Sequence, residues 1–223
     1  MTGMRVALLP ILIISNKGNA ILFMPFCRFI FKMYLRTMLY KDVKMDNFLE
    51  LLKRRRSSRL FTDELIDKEC VCNILKAALM SPSGHRINPW EFVLVEDKEM
   101  LKALSQSKAH GAGLLEGAAM AVVVLGDTTK TDVWIEDCSI ATIIMQLAAE
   151  DMGLGSCWVQ IRRREDADGN LAEDNVRGLL GVPAHYAVLS IVAFGHKARE
   201  AKPFDEEKMQ WDKIHIGSFG NQE

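Results

Sequence analysis

The sequence predicts an α+β domain, in which a sheet of about four strands is covered by helices, from about Met45 onward. Short apolar runs bounded by turn residues indicate strands. Longer stretches between them carry apolar residues at helical spacing and indicate helices. One run, residues 119–125, is apolar throughout, which is typical of a strand buried on both faces. These observations together predict a layered domain with that run at its centre.

The predicted helices come in order along the chain. Asp46 and Asp67 can cap the first two, of which the first ends among arginines and the second stops at Ser81-Pro82. Three more cover residues 98–106, 134–152 and 171–180. Apolar residues cover more than one side of the fourth helix, so we expect it to be buried on two sides, the second against another subunit.

The predicted strands cover residues 92–95, 119–125, 157–161 and 187–194. After the last strand the chain becomes polar and ends in a short motif, residues 211–216. We expect one domain over residues 45–223, preceded by an apolar and basic extension over residues 1–44.

Composition is ordinary for a globular protein, with 223 residues of which 49% are hydrophobic and 26% charged. The first 41 residues carry six basic residues and no acidic one, although the net charge of the chain is −1. The remainder is therefore acidic, and we expect no binding to nucleic acid.

Residues 1–44 contain two apolar runs, each interrupted by proline, and neither reaches the roughly 20 uninterrupted apolar residues that a spanning helix needs. We expect no stable membrane association. A misassigned start codon, with Met38 or Met45 as the true start, is the simplest interpretation. A secretory signal and an amphipathic anchor are the alternatives.

The five cysteines include no C-x-x-C pair and are odd in number, which argues against a disulfide framework or a zinc site. Reduced thiols in a cytoplasmic protein are the expectation. The five histidines show no metal spacing, so we predict no metal site.

Residues 54–61, the arginine segment, read Arg-Arg-Arg-Ser-Ser-Arg-Leu-Phe. Arginine binds phosphate oxygens with two parallel hydrogen bonds, and a serine hydroxyl can add a third. Cations at the end of a helix are also a common solvated cap, so the spacing alone leaves both interpretations open.

Two further motifs accompany the arginine segment. Residues 81–90, the polar turn, read Ser-Pro-Ser-Gly-His-Arg-Ile-Asn-Pro-Trp, and residues 153–158, the glycine motif, read Gly-Leu-Gly-Ser-Cys-Trp. Taken alone, the polar turn is an ordinary turn sequence, and the glycine motif is an ordinary end of a helix.

Together the three motifs resemble the nitroreductase family of FMN-dependent NAD(P)H oxidoreductases. In that family they read Arg-Arg-Ser-x-Arg-x-Phe/Tyr, Pro-Ser-x-x-Asn-x-Gln-Pro-Trp and Gly-Leu-Gly-x-x-Trp. The first and third match well, and the resemblance runs from about Met45 to the C-terminus. In the second, Arg86 stands where the family usually has Asn, and Asn88 where it usually has Gln.

The resemblance implies a nitroreductase-like fold, with a mostly antiparallel sheet of about four to five strands, in an entwined homodimer with FMN at its interface. NADH or NADPH would reduce the flavin, and a nitroaromatic, quinone or related small acceptor would reoxidise it by ping-pong hydride transfer. No catalytic side chain is implied, because flavin N5 carries the chemistry. The implied cofactor-binding residues are Arg55, Arg56, Ser57, Arg59, Cys157, Trp158, Val159, Gly195, Lys197 and Arg199 of one subunit, with Pro82, Ser83 and Asn88 of the other.

Two of these assignments keep an alternative. Lys197 and Arg199 follow the last strand, where they serve equally well as a basic turn covering the strand end.

Two other functions also fit the motifs: a non-catalytic flavin-binding redox sensor, and an enzyme of the same fold that removes halogen or fragments flavin. The stretch from Gln106 to Gly117 leaves little material for the substrate lid that the latter would use.

Overall fold

The structure is a computed structural model, and it describes residues 45–221. Residues 45–209 form one compact unit, of which residues 210–221 are not part. Residues 1–44, and with them the predicted N-terminal extension, lie outside the described part of the chain. The boundary predicted before Met45 therefore stays a prediction.

Four strands form one sheet: β1 (Trp90–Val95), β2 (Met120–Asp127), β3 (Leu154–Gln160) and β4 (Tyr186–His196). Their order is β1-β2-β4-β3, and every neighbouring pair is antiparallel. The α+β class and the mostly antiparallel sheet are confirmed. All eight residues of β2 are buried, as the uninterrupted apolar run predicts for a strand covered on both faces.

Five α-helices lie in the described residues: α1 (Met45–Arg54), α2 (Lys68–Leu79), α3 (Lys98–Ser105), α4 (Trp134–Asp151) and α5 (Ala172–Leu180). Asp67 caps α2 as predicted, because its side chain accepts a hydrogen bond from the Glu69 N–H at 2.9 Å. The prediction that Asp46 caps α1 is wrong. The helix begins at Met45, so Asp46 is its second residue and does not occupy the N-cap position.

Two apolar clusters form the core, one on each face of the sheet. Alternate strand residues point to opposite faces. Val122 and Val124 of β2 therefore pack towards α2 and α4, whereas Val123 packs towards α3 and α5. The sheet is the middle layer, and the ends of β3 and β4 lie in that layer.

Helix α4 has two different sides. One side packs on α2 and the sheet, and it buries Ala141 and Met145 completely. The other side leaves Ile140 and Ile143 exposed. The predicted second buried side is thus exposed in a single chain, and its burial against another subunit stays a prediction.

Residues 210–221 contain a short 3-10 helix, Trp211–Lys213, followed by turns. Trp211 and Phe219 are exposed, and the Phe219 ring lies 4.3 Å from the His215 ring, centroid to centroid. Of the helices described between residues 45 and 221, none is long and apolar enough to cross a bilayer.

Replacing Gly126 with alanine should destabilise the domain. An added Cβ at this β2 position would overlap the Trp134 indole, which is itself buried. Overpacking of this kind costs about 1–3 kcal/mol in the free energy of unfolding, measurable by urea denaturation. Gly117→Ala is the control, because no atom lies within 4 Å of its added Cβ. Equal destabilisation by both variants would contradict this account of the packing.

Candidate functional site

The arginine segment lies beside the sheet, at the start of β3 and the end of β4. Ser57 forms a parallel bridge with Ser156 of β3, and the Ser58 N–H donates to the Ser156 carbonyl at 2.9 Å. Further along, Phe61 forms an antiparallel bridge with Lys197, directly after β4. The segment is therefore held at two points by backbone pairing.

Two more backbone hydrogen bonds strengthen the second point. The Thr62 N–H donates to the His196 carbonyl at 3.0 Å, and the Ala198 N–H donates to the Leu60 carbonyl at 3.2 Å. The end of the segment and the exit of β4 thus act as a short pair of strands, which fixes the direction in which the arginines leave the sheet.

Close approach of the segment depends on two glycines that face each other across β3 and β4, Gly155 and Gly195. A Cβ on Gly155 would lie 2.7 Å from Ser58, and one on Gly195 would lie 2.8 Å from the Phe61 ring. Real Cβ atoms do not approach other atoms so closely, so both positions require glycine. Gly195 is a predicted site residue, and its observed role is to make room for Phe61.

The arginine side chains carry charge that the rest of the described chain does not neutralise. Arg55 and Arg56 are half-buried, whereas Arg54 and Arg59 are exposed. Among residues 45–221, no carboxylate forms a salt bridge with any of these four arginines. Arg56 lies 6.0 Å from the Phe204 ring centroid. The segment is thus equipped to bind an anion.

Cys157 of β3 marks the place where several of these charges converge. Burial raises the pKa of its thiol, and the positive charges of Arg59 and Arg55 act in the opposite direction. Ser57 and Lys108 also act to lower the pKa of this thiol. The predicted residues Arg55, Ser57, Arg59 and Cys157 are therefore brought together around one strand.

The second half of β3 forms a chain of side-chain hydrogen bonds. The Trp158 indole N–H donates to the Gln160 side-chain oxygen at 2.9 Å, and the Gln160 amide donates to the Arg162 carbonyl at 2.9 Å. Trp158 is half-buried and Val159 is buried. These hydrogen bonds fix the position of the Trp158 ring. Trp158 directly follows Cys157, which lies close to the arginine segment.

Lys108 also belongs to this group, although no sequence motif indicates it. Its amine donates to the Gln160 carbonyl at 2.8 Å. Burial lowers the pKa of this amine, and the nearby Arg164 guanidinium lowers it further. A single lysine in a connecting loop forms no motif, so only the fold reveals its place.

The polar turn is strained and tightly held. His85, Arg86 and Asn88 have φ values of 52°, 59° and 51°, a conformation that residues other than glycine adopt at a cost. The Ser83 hydroxyl donates to the Asn88 side-chain oxygen at 2.6 Å and accepts from the Asn88 N–H at 3.0 Å. Pro82, which precedes them, is exposed.

A buried carboxylate connects this turn to α4. Asp137 accepts from the Gly84 N–H at 2.9 Å, and its second oxygen is buried with no hydrogen-bond partner in residues 45–221. Within this part of one chain, no hydrogen bond or ion pair joins the polar turn to the arginine segment. Within residues 45–221 of one chain, none of these contacts joins Pro82, Ser83 or Asn88 to the arginine segment.

Lys197 and Arg199 differ in their surroundings. The Lys197 amine lies 2.9 Å from a Glu150 carboxylate oxygen and 3.3 Å from one of Glu200. Arg199 is exposed. In the described residues, no group of three or more metal-ligating side chains occurs.

Comparison with known proteins gives a consistent result. The model of the "Nitroreductase family" matches residues 52–112 and 100–196. The solved structure of an FMN-dependent nitroreductase from Clostridium difficile R20291 is 41% identical, with a TM-score of 0.75 over 77% of this chain and 99% of that one. FMN reductase (NADPH) of Bacillus subtilis is 28% identical, over 69% of this chain and 67% of that protein.

A third relative is named for a different activity. Human iodotyrosine deiodinase 1 is 37% identical over 199 residues, which cover 78% of this chain and 69% of that protein. Three observations point to one family: the shared sequence over most of the domain, the matching fold, and the site built on β3 and β4. This chain belongs to the nitroreductase family.

Proposed function

We propose that this chain is an FMN-dependent oxidoreductase that takes electrons from NADH or NADPH and passes them to nitroaromatic, quinone or related small acceptors. The observation that carries the proposal is the arginine segment, a set of cations without carboxylate partners in residues 45–221, fixed against β3 in a member of the nitroreductase family. The names of the Clostridium difficile and Bacillus subtilis relatives support FMN and NADPH.

The residues of the segment suit the phosphate end of FMN. A phosphate with about two negative charges needs several donors, and planar guanidinium groups supply them in pairs. Arg55, Arg56 and the Ser57 hydroxyl would hold this group. Arg199 is exposed and can approach it from the end of β4.

The strand residues suit the ring end of FMN. Cys157, Trp158 and Val159 would line one side of the ring system with strand backbone and the fixed Trp158 side chain. When bound, FMN supplies hydride transfer, so the protein has to supply orientation and charge rather than an acid or base. Arg59 would place its positive charge where the reduced ring is anionic.

A second subunit would complete the site. Pro82, Ser83 and Asn88 lie on a turn that costs energy to maintain, and such strain is typical of functional positions. Because this turn makes no hydrogen bond or ion pair with the arginine segment within the described part of one chain, we propose that it serves the partner's cofactor. The exposed Ile140 and Ile143 of α4 would lie in the homodimer interface.

Reductive dehalogenation is the second candidate, and the similarity to human iodotyrosine deiodinase 1 favours it. The connection between α3 and β2 offers limited material for a substrate lid, which favours the first candidate. Iodide release from iodotyrosine, compared with NAD(P)H oxidation in the presence of a quinone, separates the two. A sensor without enzymatic turnover would do neither.

The decisive test of the function is the absorbance spectrum of the purified protein, followed by anaerobic addition of NADH and then NADPH. We expect a flavin spectrum that bleaches with at least one of them and returns on adding a quinone. With both acceptor and donor using one site, initial rates should follow ping-pong kinetics. A protein that is colourless and cannot be reconstituted with FMN would refute the proposal.

Arg59→Ala should weaken FMN binding and make the bound flavin harder to reduce. Loss of a charge-assisted hydrogen bond weakens binding by about 10- to 100-fold. If the reduced form loses about 1.4 kcal/mol more than the oxidised form, the midpoint potential falls by about 30 mV. Fluorescence titration measures the FMN affinity, and dye-coupled reduction measures the midpoint potential.

The neighbouring Arg54→Ala is the matched control for Arg59→Ala. Arg54 is exposed at the end of α1 and we assign it no contact with the cofactor. It removes the same charge from the same segment, so FMN affinity and potential should stay within error of the wild-type values. A holo-protein of Arg59→Ala with an unchanged potential would refute the role given to Arg59.

Ile143→Glu, alone or with Ile140→Glu, should dissociate the homodimer and lower FMN affinity. Burying an unpaired carboxylate in an apolar interface is costly. Sedimentation velocity measures the oligomeric state. Leu179→Glu on α5 is the control, because Leu179 is 39% exposed, as against 38% for Ile140 and 40% for Ile143. Dimers that survive the α4 changes would contradict the proposed interface.

A further inference from the structure

A buried ion pair lies where the chain leaves β4, next to the end of the arginine segment. Glu150, near the end of α4, is 4% exposed in its side chain, and Lys197, which follows β4, is 10% exposed. Their charged atoms are 2.9 Å apart. The lysine charge also suits the negative C-terminal end of α4.

Lys197 and α4, the helix that carries Glu150, both contact the points that hold the segment. The Lys197 backbone pairs with Phe61, and the Lys197 Cγ lies 2.9 Å from where a Cβ on Gly155 would be, beside Ser58. One turn before Glu150, the Gln146 amide lies 3.4 Å from the Ser156 hydroxyl, within hydrogen-bond range. Helix α4 is thereby fastened to the two strand ends on which the arginine segment lies.

The charge of Lys197 is already neutralised by carboxylates of this chain. Glu150 and Glu200 both lie within ion-pair distance of its amine, and a shift of the amine towards another anion would leave Glu150 buried without a partner. The arginines of the segment have no such carboxylates in the described residues. The two kinds of cation therefore have different tasks.

We infer that Glu150 and Lys197 form a positioning pair that fixes the arginine segment to α4, and that the arginines, rather than Lys197, neutralise the phosphate of the cofactor. The inference rests on the proposed function in that it takes FMN as the cofactor. It assigns Glu150 a role that the sequence motifs do not indicate, and it chooses between the two interpretations of Lys197.

Riboflavin provides a direct test, because it is FMN without the phosphate. Removal of a phosphate ligand weakens FMN binding and leaves riboflavin binding unchanged. Removal of a positioning residue displaces the whole segment, and Arg59 with it, so that both ligands bind more weakly. For Lys197→Met we expect the affinity for riboflavin to fall by about tenfold and the affinity for FMN by at least as much, because Arg55 and Arg56 move with the segment.

Three further variants sharpen the test. Arg55→Met should lower the FMN to riboflavin affinity ratio by at least about tenfold, as expected for a phosphate ligand. Lys202→Met removes a charge from an exposed lysine of the same stretch and should change neither affinity. Glu150→Met combined with Lys197→Met leaves no buried charge unpaired, since Glu200 is exposed, and should recover most of the affinity lost in Lys197→Met.

Hydrogen exchange of the flavin-free full-length protein gives a second readout. The Ser58 and Thr62 amides donate to Ser156 and His196, so they report whether the segment stays in place. We expect exchange of these amides to be at least about tenfold faster in Lys197→Met and restored in the double variant.

The outcomes separate this inference from the proposed function. Wild-type protein that binds no flavin would refute the function, while the exchange rates would still decide the positioning role. Loss of FMN binding alone in Lys197→Met, with riboflavin binding and amide exchange unchanged, would overturn the inference and make Lys197 a phosphate ligand. A double variant no better than Lys197→Met in either readout would also overturn it.

Discussion

The site depends on one steric constraint, the close approach of an irregular segment to the ends of two strands. Gly155 and Gly195 face each other on β3 and β4, and at each of them a methyl group would collide with the segment. Without side chains there, backbone pairing can hold Ser57 and Phe61 at fixed positions. The directions of the arginines follow from that pairing, so the chemistry of the site rests on two absent Cβ atoms.

The charged residues around this contact form two groups. In the arginine segment, the guanidinium groups form no salt bridge with a carboxylate of residues 45–221, and their positive charge acts on the Cys157 thiol of β3. At the end of β4, Lys197 forms a buried ion pair with Glu150. A buried pair adds direction rather than net charge, whereas unpaired surface cations add attraction for an anion. The fold separates these two tasks by placing them on different elements.

The sequence allowed the elements and the arginine segment to be predicted, because hydrophobic periodicity and residue type are local properties. β2 and α4, for example, carry patterns long enough to leave little doubt. The contacts of Lys108, Asp137 and Lys197 could not be predicted, since each joins residues 47 to 53 positions apart and none belongs to a motif. The left-handed conformation of Arg86 was equally hidden, because arginine does not favour it.

The strand order has a consequence for biosynthesis. β4 is the last strand to be made, yet it lies between β2 and β3 and supplies the strand neighbour of each. A nascent chain that ends after β3 therefore carries two more unpaired strand edges than the finished sheet, and such edges are prone to association with other chains. The arginine segment needs the ends of both β3 and β4, so it is made before either strand but cannot be positioned until Lys197 has left the ribosome.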